Sequence, residues 1–322
     1  MRKFSLLPVF FLLYQVSVAQ NSPVFSHFMF FKQLKNPASV GSENALDIAA
    51  LYRAQWVGVK GNPSAQALSV QSPLNVLNSS AGIFIVNEMQ GEERVTSAML
   101  TYAYRHSFKK VNLAGGLSAG ILQRAIDGSK LISPEGNYES GINHGDDFIP
   151  DKLASGISFD LNAGIYLNTK KMFAGISVNN IMESRSSLEW QNLKSEIKNP
   201  RYYTALAGYR IKVGKKLNLL PSVSVETDFI NTQAEFNTIL QYKDNIYGGM
   251  SFRGFAPDLK DAVVLMAGFR IFKNLKAGYS YDVSLSSLNE ANSGSHEVYL
   301  RYTINIKELV NPGKIIYSPR FL

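Results

Sequence analysis

Side chains that alternate between apolar and polar at a period of two, in one segment after another, constrain this chain more than any other feature. Ile157, Phe159, Leu161, Ala163, Ile165 and Leu167 alternate with Ser158, Asp160, Asn162, Gly164 and Tyr166. Leu275, Ala277, Tyr279, Tyr281 and Val283 alternate with Lys276, Gly278, Ser280 and Asp282, and the pattern returns between Glu297 and Ile306. Successive residues of a strand point to opposite faces, so each segment has one apolar and one polar face. Fourteen such segments lie between residues 44 and 306. Most run for about 9–14 residues, longer than the roughly 5–6 of a strand in a soluble protein and suited to a tilted strand that crosses a bilayer.

The connections alternate as well. Tight turns at 108–110, 168–171, 213–216, 243–245 and 272–274 are separated by longer polar loops at 124–153, 181–200, 254–261 and 285–294. An even strand number with short turns at one end and long loops at the other predicts an all-β fold, a transmembrane antiparallel β-barrel of about 14 strands. Both termini then lie at the short-turn, periplasmic end of an outer-membrane protein. A pair of soluble β-sandwiches is the competing architecture, and it explains neither the strand lengths nor the alternation of loops. Beyond the N-terminus no apolar run approaches the ~20 residues of a spanning helix. Disorder is excluded by 19 Phe, 16 Tyr and 2 Trp in a chain only 18% charged.

Met1-Arg2-Lys3, the apolar stretch from Phe4 to Val18 and the small residues of Ser17-Val18-Ala19 predict a signal peptide over 1–19, cleaved before Gln20. The chain has no cysteine, so the exported protein uses no disulfide and no lipid-modified N-terminal cysteine. Residues 20–43 then form an N-terminal periplasmic segment, 44–306 the barrel and 307–322 a C-terminal periplasmic tail. Phe25, Phe28, Phe30 and Phe31 make the first of these too apolar to hang in solvent, and it is expected to pack into or against the periplasmic mouth. Without the signal peptide, 31 basic residues stand against 25 acidic ones, a formal charge of +6. The basic residues do not cluster with stacking aromatics, which argues against a nucleic-acid partner.

Charges on the lipid face are costly, so the polar face of each strand is assigned to the lumen. That places Arg53, Arg105, Asp160, Arg210, Glu226, Asp228, Glu235, Arg253, Arg270, Asp282, Glu297 and Arg301 inside. Such an interior suits a water-filled channel or a salt-bridged filling equally well. Catalytic patterns are missing. His27, His106, His144 and His296 form no metal spacing, no G-x-S-x-G elbow occurs, and His144 beside Asp146 and Asp147 reads as a solvated loop. Gly115 to Gly120 precedes no helix, so it is read as small residues in the barrel wall and not as a phosphate loop.

Pro23-Val24-Phe25-Ser26-His27-Phe28-Met29-Phe30, followed by Asn36-Pro37-Ala38-Ser39-Val40-Gly41, resembles the N-terminal signature of the PorP/SprF family. Leu51-Tyr52-Arg53-Ala54-Gln55-Trp56-Val57-Gly58, Tyr102-Ala103-Tyr104-Arg105 and the terminal Ser318-Pro319-Arg320-Phe321-Leu322 extend the resemblance from about residue 23 to the C-terminus. The resemblance implies a non-catalytic outer-membrane component of type IX secretion and gliding machinery. Such a component would help to export or surface-anchor cargo bearing a C-terminal secretion domain, with no cofactor. The alternative from the barrel alone is a porin or hydrophobic-solute channel. Within the motif, Asn36, Pro37, Gly41, Arg53, Gln55 and Trp56 are candidates for pinning the N-terminal segment or contacting a partner. Arg53 and Gln55 are expected to point inward, and Trp56 to face lipid in the outer aromatic girdle.

Charge is one-sided along the axis. The tight turns carry eight lysines, among them Lys109, Lys110, Lys170, Lys171, Lys215 and Lys216, against the single acid Asp244. The opposite loops, taken to include Glu88 and Arg124, hold fifteen acids against nine basic residues. A ring of lysines can orient an acidic periplasmic component of the secretion machinery or hold the anionic headgroups of outer-membrane lipid.

Overall fold

Each alternating segment becomes a strand because only a closed sheet satisfies every backbone N–H and C=O while presenting a continuous apolar face to lipid. The computed structural model describes residues 24–305, apart from 75–77, 140, 191–192, 255–259 and 286–290. The expected signal peptide and C-terminal tail lie outside the described residues. The strands are β1 (Ala45–Ala54), β2 (Ser64–Leu74), β3 (Ser79–Gln90), β4 (Glu93–Phe108), β5 (Val111–Asp127), β6 (Leu153–Asn168) and β7 (Met172–Asn179). After a small hairpin, β8 (Arg185–Trp190) and β9 (Leu193–Lys198), come β10 (Tyr202–Tyr209), β11 (Ile211–Val213), β12 (Leu217–Thr227) and β13 (Thr232–Tyr242). The wall ends with β14 (Ile246–Gly254), β15 (Lys260–Arg270), β16 (Leu275–Ser284) and β17 (Ser295–Asn305).

Neighbours along the chain pair antiparallel around the wall, β1 pairs with β17 through Leu51 opposite Tyr299, and β10 pairs with β12. Since β10 and β11 are one strand interrupted at Arg210, the sheet closes as a barrel of 14 staves. Its burial pattern inverts that of a soluble protein. Phe159 is 69% exposed on the outer face and Asp160, its neighbour, 1% on the inner face. Likewise Leu117 is 65% exposed and Ser118 1%. An apolar exterior over a polar interior is stable only where lipid covers the exterior.

Several boundaries differ from the periodicity. The first strand stops at Ala54, not 57, because Trp56 has φ +47°, a left-handed conformation that a strand cannot continue. The fifth extends to Asp127, where alternation had faded into the polar loop. At the loop end β3 and β4 are joined by only Gly91 and Glu92, so the alternation of connection lengths has an exception there. The 181–200 loop contains the β8–β9 hairpin, which folds inward: Leu188 is buried and Ser158 of β6 hydrogen-bonds Ser186. Two residues assigned to the lumen are not in it. Arg210 is exposed at the break in its stave, and Asp228 lies past β12, accepting from the Ile230 N–H at 2.8 Å.

Candidate functional site

Residues 24–43 run inside the barrel. Phe28–Phe30 and Pro37–Ser39 are single 3₁₀ turns flanking the four-residue helix α1 (Lys32–Lys35). Such short turns have little stability of their own, so the wall must fix them. Phe25, Phe28, Met29 and Phe31 are buried in one cluster with Leu51, Phe84, Met99, Tyr247 and Tyr299 of the inner wall. Phe30 stacks on Tyr299 at 5.2 Å, and the His27 ring lies 4.7 Å from the same tyrosine.

Nearer the loop end, the segment completes a buried ionic cluster. Glu297 Oε2 accepts from the Ser26 N–H at 2.8 Å, and Glu297 Oε1 from the His27 N–H at 2.9 Å. His27 Nδ1 lies 2.6 Å from Glu297 Oε1; a carboxylate only accepts, so Nδ1 carries the hydrogen. The Ser26 hydroxyl accepts from Arg53 at 3.0 Å and Arg253 at 2.8 Å, and donates to Asp282 at 3.2 Å. Arg53 and Arg253 each pair with Asp282, at 2.6 and 2.9 Å, and Arg253 Nε donates to Glu235 at 3.1 Å. The wall alone therefore holds three carboxylates against two guanidinium groups, and the N-terminal segment brings the donors that satisfy Glu297. Buried charge of this kind is tolerable only when such hydrogen bonds are complete.

At the turn end, a second set of contacts fastens the segment where it meets β1. Asn36 Nδ2 donates to the carbonyls of Ile165 and Ile176, both at 3.0 Å, and its Oδ1 accepts from the Ala38 N–H at 2.9 Å. Gly164 and Gly175 leave room for Asn36, and Gly116 for the Pro37–Ala38 backbone. Pro37 opens its turn, where a fixed φ and a missing N–H do no harm. Gly41 has φ +65°, donates to Gln71 Oε1 at 2.9 Å and accepts from Arg105 at 2.8 Å. Arg301 bridges Asp47 at 2.6 Å and Glu43 at 2.5 Å, and Lys32 lies 3.5 Å from Glu43. Burial pushes the Glu43 carboxyl up, but Arg301 and Lys32 beside it more than offset this and hold it down at about 2.

Of the motif residues, Asn36, Pro37, Gly41 and Arg53 meet the N-terminal segment or belong to it. Gln55 and Trp56 do not join them. Both lie past β1 in the loop-end turn, where the Gln55 N–H donates to the Pro63 carbonyl at 2.8 Å and the Trp56 N–H to Ser295 Oγ at 3.1 Å. Lys109, Lys110, Lys170, Lys171, Lys215 and Lys216 are all exposed at the turn end, and none forms an ion pair among the described residues. Glu88 and Arg124, expected in outer loops, stand in β3 and β5 and line the lumen. Ser26, His27 and Asp47 were missed as anchoring residues; the only sequence signal was the surplus of inward charge awaiting partners. In the long loop, His144 Nδ1 meets the Tyr138 hydroxyl at 3.0 Å.

An outer-membrane barrel filled by its own N-terminal segment is the setting in which the family comparison applies. The profile of the type IX secretion system membrane protein PorP/SprF matches residues 17–302. The chain belongs to the PorP/SprF family. PorP/SprF membership places this barrel in the outer membrane and implies association with secretion machinery and cargo. No curated protein sequence matches this PorP/SprF chain. Among solved structures, it is similar to the toluene transporter TodX of Pseudomonas putida, with 10% identity, a TM-score of 0.50, and coverage of 88% of this chain and 95% of that one. The outer membrane protein Omp33 of Acinetobacter baumannii is similar at 6% identity and a TM-score of 0.46, over 80% of this chain and 98% of that one. At this identity the likeness to TodX establishes fold alone.

Proposed function

We propose that this PorP/SprF protein acts as a closed, non-catalytic scaffold that assists export or surface attachment of cargo bearing a C-terminal secretion domain, by docking and not by conducting solutes. The observation that carries this reading is the filled lumen. Four buried apolar side chains and a buried ionic cluster hold residues 24–43 where a porin would keep its aqueous path. The charges around Glu297 offer no free acid or base, since they are committed to one another and to the backbone of the segment. The turn end faces the periplasm in this reading, because tight turns gather there and long loops at the other end. The exposed lysines Lys109, Lys110, Lys170, Lys171, Lys215 and Lys216 are then placed to meet periplasmic secretion components or inner-leaflet headgroups.

Two measurements test it. The purified protein in planar bilayers should be electrically silent, and a steady conductance from the unaltered chain would refute the scaffold reading in favour of a channel. On intact cells an impermeant thiol reagent should label Ile132→Cys in the long loop and not Lys109→Cys; the reverse pattern inverts the orientation.

A further inference from the structure

Between the N-terminal segment and the inner wall of β3, β4 and β5 lies a cavity of about 170 Å³. Phe28 and Phe31 of the segment and Phe84 and Met99 of the wall, all buried, form its apolar part. Register fixes where its polar part stands. Phe84 is opposite Met99, whereas Glu88 is opposite Val95, which is in turn opposite Arg124. Glu88 and Val95 thus stand four residues nearer the loop end than Phe84 and Met99, about 13 Å along the strands. The cavity is amphipathic along the barrel axis, with its charged part toward the loops.

The charges there do not balance. Arg124 pairs through Nη1 with Glu93 and donates through Nη2 to Asn199 Oδ1 at 3.0 Å. Lys35, across the cavity, pairs with Glu226. Both cations are therefore engaged. Glu88 is half-buried and has no hydrogen bond or ion pair among the described residues; Arg124 reaches it only through space. A carboxyl group without a donor in a partly buried site is costly to ionise, and a cation that reaches it removes that cost.

We propose that this cavity binds a small primary amine carrying an aromatic or branched apolar group. The ammonium pairs with Glu88, and the apolar group lies against Val86 and Leu122, toward the apolar end of the cavity. Size agrees, since a cavity of about 150 Å³ accepts benzene. An anion is disfavoured because both terminal nitrogens of Arg124 are already committed. Occupancy of this site does not depend on the secretion role, and neither conductance nor cargo export enters its test.

The probe is 2-phenylethylamine, added to the full chain purified in detergent and followed by ligand-observed NMR, with 2-phenylethanol as the neutral compound of matching shape. The amine should bind with a Kd of about 1 mM or tighter, and the alcohol at least about tenfold more weakly. Glu88→Gln should reduce amine binding to the level of the alcohol. A second variant, Leu122→Trp, fills the cavity while leaving Glu88 in place and should abolish binding of both compounds. Heat-modifiable gel migration verifies that each variant is folded. Equal binding of amine and alcohol, amine binding that survives either substitution, or no amine binding to the parent chain overturns the proposal.

Discussion

Glu297→Ala isolates the link between the N-terminal segment and the wall. In the parent chain Glu297 accepts from the Ser26 N–H, the His27 N–H, His27 Nδ1 and Arg53, at 2.8, 2.9, 2.6 and 3.3 Å. Removing the carboxylate does not strand Arg53, which keeps Asp282 at 2.6 Å. It does strand three donors of the segment in a buried site, each costing about 1–3 kcal/mol when unmade. Allowing for water that enters the space left behind, docking of residues 24–31 should weaken by about 3–5 kcal/mol in total. That corresponds to a factor of about 10²–10⁴ in the docking equilibrium. Hydrogen exchange followed by mass spectrometry reads it directly. Amides between residues 25 and 31 should exchange faster by about that factor, while those of β1 and β17, held by the ladder that closes the barrel, keep their protection. The reasoning is refuted if exchange in the segment is unchanged. It is equally refuted if acceleration is uniform around the barrel, because the residue would then stabilise the wall and not the docking.

Phe28→Ala empties the centre of the same apolar cluster and should lower stability by about 3–5 kcal/mol in a denaturant titration of the purified protein. Gly116→Ala drives a methyl group into the Pro37–Ala38 backbone, whereas the adjacent Gly115 has nothing within 4 Å. Thermal melting should therefore show a loss of about 1–3 kcal/mol for Gly116→Ala and almost none for Gly115→Ala. Glu43 has a folded-state pKa of about 2 against an ordinary 4.5. Its contribution is complete above pH 4.5 and disappears as pH falls from there to about 2; being 44% exposed, it adds no more than about 1 kcal/mol, and Glu43→Gln should flatten that part of the pH–stability curve. Changing Lys109, Lys110, Lys170, Lys171, Lys215 and Lys216 together to Gln should slow cargo export while leaving membrane insertion intact; export at the parental rate would show that these lysines serve no periplasmic partner.

Local pattern carried the architecture. Period-two alternation, strand length and turn chemistry are properties of neighbouring residues, so the 14-stave barrel and the outward direction of Phe159 were legible in the sequence. The same holds for the inward set around Arg53, Glu235, Arg253, Asp282, Glu297 and Arg301, because a strand has only two faces. The pattern failed where backbone conformation broke it, at Trp56 and at Arg210, and where a loop formed a hairpin of its own at β8 and β9. What fills the lumen was a different kind of question. Asn36, Pro37 and Gly41 were visible as a motif, but their partners Ile165, Ile176 and Arg105 lie in distant strands. Ser26 and Glu297 are separated by 271 positions, and nothing near either residue specifies the other. Strand periodicity assigned an inner face to each stave; only closure of the barrel decided which inner residues meet, which carboxylate remains unpaired at Glu88, and that the donors completing the Glu297 site come from the chain's own N-terminal segment. Those outcomes depend on distances across the lumen, which exist only once the first and last strands have joined.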